Sequence, residues 1–77
     1  MPEVLRMGPY RIHFYALDRP EPPHVHVTAA GDQAKFWLEP VSLAAARGFS
    51  QRDLRTIERL VTEHREDFLE AWHDYFN

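Results

Sequence analysis

The sequence contains no cysteine, which excludes disulfide staples, thiolate metal sites and thiol nucleophiles together. Glycine is scarce at 3 residues. Gly8, Gly31 and Gly48 stand apart as turns and a cap, so no phosphate-cradling loop is expected. No apolar run approaches membrane length; the neutral stretch from Pro40 to Ala46 falls far short. The first residues, MPEVLR, lack the apolar run of a secretory signal, and the expectation is a cytoplasmic protein. There is no basic excess either. The chain has 9 Lys or Arg against 12 Asp or Glu, a net charge of -3, unlike the dense positive footprint of an ordinary nucleic-acid binder.

What remains is a 77-residue chain with 44% hydrophobic and 13% aromatic residues. That is too apolar for a disordered chain and the right size for a single domain over residues 1–77. A domain this small buries only about 60% of its extended surface, so association with a second copy or a partner would be useful. The acidity is uneven. Five of the carboxylates, Glu63, Glu66, Asp67, Glu70 and Asp74, fall in residues 61–77 beside one basic residue, Arg65.

Period-two alternation dominates the first half. Val4, Leu5 and Met7 form a short strand, Gly8-Pro9 turns it, and Tyr10–Leu17 continues with Ile12 and Phe14 on one face. The run Asp18 to Pro23 holds three of the six prolines and is a loop. His24–Thr28 and Ala34–Glu39 resume the alternation around a turn at Gly31-Asp32. The second half is helical. Val41–Arg47 is expected as a short helix capped by Gly48. Ser50 with Asp53 has capping-box spacing and places a helix start at residue 50 or 51. The stripe Leu54, Ile57, Leu60 or Val61, His64, Phe68, Ala71 or Trp72, Tyr75 then runs about 25 residues, roughly 37 Å of helix. That overhangs a body of this size unless the helix breaks near Thr62–His64. These elements predict an α+β fold: a three- to four-stranded, mostly antiparallel sheet, with a short helix and a long C-terminal helix packed on one face.

The strand alternation leaves Arg11, His13, Tyr15, His24, His26, Lys35 and Trp37 on the polar face. His24, His26 and Lys35 are the candidate catalytic residues for metal-independent cleavage of RNA. One imidazole would act as base and the other as acid, while the ammonium stabilises phosphoryl charge. Arg11, His13, Tyr15 and Trp37 are candidate binding residues, Trp37 as a stacking platform. A metal is not expected. His24 and His26, with His13 as a third ligand, would have to hold a dication beside Lys35 and Arg11, and no compact metal signature is present. No cofactor is expected. Phe68, Trp72, Tyr75 and Phe76, lying among the carboxylates, are candidate interface residues for a small protein partner or for a dimer.

The segments YRIHFYA at 10–16, EPPHVHV at 21–27, AKFWLEPV at 34–41, RGFS at 47–50 and LEAWHDYF at 69–76, after the opening MPEVLR, resemble the DUF4160 family of small bacterial proteins. The resemblance covers nearly the whole chain and implies no substrate and no cofactor. His24, His26, Lys35 and Trp37 fall in its recognisable motifs, whereas His13 stands where other members often have an aromatic residue. Members often look like one half of a two-gene module with a DUF2442-type partner. The resemblance therefore implies a partner-binding component of a toxin–antitoxin-like system, acting through the His/Lys/Trp face or the C-terminal helix. An endoribonuclease is the alternative.

Overall fold

Alternating residues between positions 10 and 38 form strands because each strand can bury one side and leave the other in water. A computed structural model describes residues 3–76. Strands β1 (Glu3–Met7), β2 (Tyr10–His13), β3 (His24–Ala29), β4 (Asp32–Leu38) and β5 (Val41–Arg47) pair antiparallel in chain order. Helices α1 (Gln51–Glu63) and α2 (Arg65–Phe76) follow. The architecture is α+β with a five-stranded antiparallel sheet and two helices.

The fifth strand corrects the expected three or four, and it replaces the helix expected at Val41–Arg47. The alanine run favours helix only weakly, and one seven-residue helix is marginal without packing. The chain instead folds back at Glu39-Pro40, and Leu38↔Val41, Trp37↔Ser42 and Phe36↔Leu43 pair with β4. The register then slips between Lys35 and Phe36, because Lys35 pairs with Ala45. Ala44 is the extra residue of a bulge.

A second correction concerns β2, which ends at His13 instead of continuing to Leu17. Asp18 competes for the backbone there. Its carboxylate Oδ2 accepts the Tyr15 N–H at 2.7 Å, and its own N–H donates to the Tyr15 carbonyl at 3.0 Å. The result is a one-turn 3-10 helix at Ala16–Asp18, with Leu17 left 90% exposed.

The helix start holds as expected: Ser50 Oγ accepts the Asp53 N–H at 3.1 Å. The long stripe breaks at His64, whose φ of -105° and ψ of 14° leave the helical region. The break divides the stripe into two helices, both of which reach the buried core. The Cα radius of gyration, 11.4 Å, is what a chain of this length should have when compact. Ile57 and Val61 of α1 and Phe68 and Leu69 of α2 bury against Ile12, Val25, Val27, Ala34, Phe36 and Leu38. Those sheet residues alternate along their strands, so the helices cover one face. Arg65 stitches the junction, its Nε donating to the Leu38 carbonyl at 2.7 Å.

Gly48 closes β5 with φ +97°, and a Cβ there would meet the Asp32 side chain. Gly48→Ala is therefore expected to cost about 1–2 kcal/mol from the left-handed backbone alone, more if Asp32 fails to move. A thermal melt checks it; an unchanged midpoint would refute the conformational argument.

Candidate functional site

His24 is the first residue of β3 and His26 stands two residues on, so both side chains leave the same face. Across the ladder His24 pairs with Trp37 and His26 with Lys35, and on the other side His26 pairs with His13. The sheet therefore gathers His13, His24, His26, Lys35 and Trp37 as the alternation predicts. The rings of His13 and His26 stack at 5.8 Å between centroids. Tyr15 leans on His26 at 4.7 Å, and its hydroxyl lies 3.2 Å from His13 Nε2. The ammonium of Lys35 sits 4.6 Å over the Trp37 ring.

Burial divides this set. His24 is 0% exposed, wedged between Trp37 at 5.6 Å and Trp72 of α2 at 5.1 Å. His13 is buried as well, while Tyr15 and Arg11 reach the surface and His26 is intermediate. Burial holds the pKa of His26 below the ordinary histidine value, against the opposing pull of Asp18. A buried His24 is not placed to touch a polymer substrate. Lys35 is engaged too: its Nζ donates to Glu21 Oε1, and that hydrogen bond lowers the Glu21 pKa.

Two residues of the proline loop complete the site, and sequence reasoning missed both. Asp18 Oδ2 lies 3.1 Å from His26 Nε2 and 3.2 Å from His24 Nε2. Glu21 Oε1 lies 3.7 Å from His24 Nδ1. The available signal was an acidic loop running straight into His-x-His.

The aromatic end of α2 packs on its own chain. Phe68 is 1% and Trp72 5% exposed. Phe14 lies 5.3 Å from both Trp72 and Tyr75 and 5.5 Å from Phe76, ring to ring. Of the four candidate interface residues only Tyr75 is exposed, and Phe76 is intermediate. Among the described residues no helix is long and apolar enough to cross a membrane.

Residues 10–73 match the family model described as "Domain of unknown function (DUF4160)". No curated protein and no solved structure matches the chain.

Proposed function

The chain belongs to the DUF4160 family, and from that premise we propose a non-catalytic, partner-binding role in a toxin–antitoxin-like module. The docking element is the outer edge of β5. One observation carries this reading: β5 ends the sheet order, and six of its seven residues are exposed.

Open edges invite another strand, and proteins usually guard them with charges or proline. Residues Val41 to Ala46 carry neither, and Leu43 is 43% exposed. The bulge at Ala44 blunts the edge only locally. The opposite edge strand, β1, includes Glu3 and Arg6. Beside β5 an open groove of about 250 Å³ is lined by His26, Gln33, Lys35, Ala45 and Arg47. An added strand gains main-chain hydrogen bonds along the edge and sets a side chain in such a groove. Arg47 favours an acidic one.

The endoribonuclease alternative would require His24 to reach the phosphodiester through the two tryptophans that cover it. The edge reading needs no such rearrangement.

Capture of the neighbouring gene's product by tagged protein tests the proposal. A lysine at an exposed edge position opposes strand addition, so Leu43→Lys should reduce capture by about tenfold or more, with an unchanged circular dichroism spectrum. Undiminished capture by the variant, or none by the wild type, would overturn it. Light scattering of the protein alone separates a second copy from a different partner.

A further inference from the structure

We propose that Asp18, His24 and His26 form a binding site for one divalent transition-metal ion of the zinc class. The proposal is independent of the β5 edge and rests on the orientation of a buried ring.

Nδ1 of His24 is 2.9 Å from the Pro22 carbonyl oxygen. A carbonyl only accepts, so Nδ1 carries the proton and Nε2 is the ring nitrogen left to bind. That Nε2 is fully buried and has no hydrogen-bond partner, although Asp18 Oδ2 is 3.2 Å away. With its proton on Nδ1 alone, the ring sets an imidazole lone pair against a carboxylate oxygen 3.2 Å away. The contact as it stands is not a hydrogen bond, and a cation held by both atoms removes the repulsion.

The spacing of Asp18 to each imidazole fits such an ion. With bonds of about 2.0–2.1 Å to nitrogen and oxygen, neighbouring donors of a tetrahedral site stand about 3.3 Å apart. Asp18 Oδ2 stands 3.2 Å from His24 Nε2 and 3.1 Å from His26 Nε2. One donor atom from each of the three residues falls within 4.8 Å of the others. Two imidazoles and a carboxylate are donors suited to zinc and its neighbours.

The surroundings resemble a supporting shell. Histidine ligands usually donate their second ring nitrogen to a carbonyl or carboxylate, which fixes tautomer and direction; His24 does so to Pro22. The Tyr15 N–H holds Asp18 Oδ2 at 2.7 Å, and that oxygen has a second lone pair for the ion. Lys35, which the sequence places as a source of repulsion, is paired with Glu21. Three protein donors leave a fourth position for water.

Titration of the chelator-treated full chain with zinc by calorimetry, and with cobalt(II) by visible absorption, tests the site. The expected result is one equivalent bound, with the intense visible bands of four-coordinate cobalt. Loss of a supporting residue alone typically costs about 10–100-fold in metal affinity. Asp18→Asn and His26→Gln should therefore each weaken binding by at least about tenfold. His26 is partly exposed, so its variant keeps the test usable if His24→Gln fails to fold. His64→Gln serves as the control, because His64 Nδ1 and Asp67 Oδ2, 3.7 Å apart, are another histidine–carboxylate pair. It should leave the affinity unchanged. Absence of a stoichiometric site, or equal affinity in wild type, Asp18→Asn and His26→Gln, overturns the proposal. So does a site lost only with His64.

Discussion

Trp72→Ala is expected to destabilise the protein by about 3–5 kcal/mol, the usual cost of emptying a buried aromatic site. Trp72 sits where α2 meets the end of the sheet, with its ring 5.3 Å from Phe14, 4.4 Å from Phe76 and 5.1 Å from His24. The rings around the vacancy are held by separate elements, β3, the segment after β2, and α2 itself. They cannot all collapse inward, and the cavity penalty is close to fully felt. Small domains have only about 5–15 kcal/mol in total, so the melting midpoint should fall by at least about 12 °C. Trp72→Phe should restore most of the loss. A drop below about 5 °C would show that the ring is not a core element. Light scattering of folded Trp72→Ala should give the wild-type mass, because the side chain is spent inside its own chain.

Asp18→Ala comes next in size, at about 2–4 kcal/mol. Its carboxylate takes the Tyr15 N–H at 2.7 Å and lies 3.1 Å from His26 Nε2, and the side chain is 14% exposed. Hydrogen bonds to a charged group contribute roughly 1.5–3 kcal/mol each and do not add fully. The loop would lose its anchor to the sheet, so denaturant unfolding with chelator present should be read alongside limited proteolysis. New cleavage between Tyr15 and Pro23 is the expected signature. Asp18→Asn keeps an oxygen for the Tyr15 N–H and should lose less. Equal stability of Asp18→Ala and wild type would mean that the loop is held by its prolines and Glu21 alone.

Much of the fold was legible because alternation and capping are local. Ile12, Val25, Val27, Phe36 and Leu38 are buried as period two predicts, and Ser50 caps α1. Two errors came from competition between local and tertiary preference. Ala44–Ala46 favours helix, yet an adjacent strand with unpaired backbone groups outweighs that weak preference. The residues after His13 alternate like a strand, yet the Asp18 side chain offers the backbone a closer partner.

The site was half legible for a related reason. Strand neighbours such as His26 and Lys35 follow from alternation and short connections. Asp18 lies in an irregular loop, where no period says which way a side chain points. Burial of His24 was illegible as well. The position reads as polar-facing, and only the break at His64 brings Trp72 across it.

Every strand in this sheet has its chain neighbour as its spatial neighbour. Most pairing is therefore between residues close in sequence, the arrangement that shortens the search for the native state. The sheet can zip hairpin by hairpin as the chain emerges. The pairing of His24 with Trp72, like the other helix–sheet contacts, must await the helices. The imidazole on which the proposed ion site depends is thus shut from water only once α2 has docked. An ion arriving earlier would meet an open, exchangeable pair of histidines, and one arriving later a closed one. The order in which α2 and the proposed ion arrive thus decides whether that ion meets an open or a closed site.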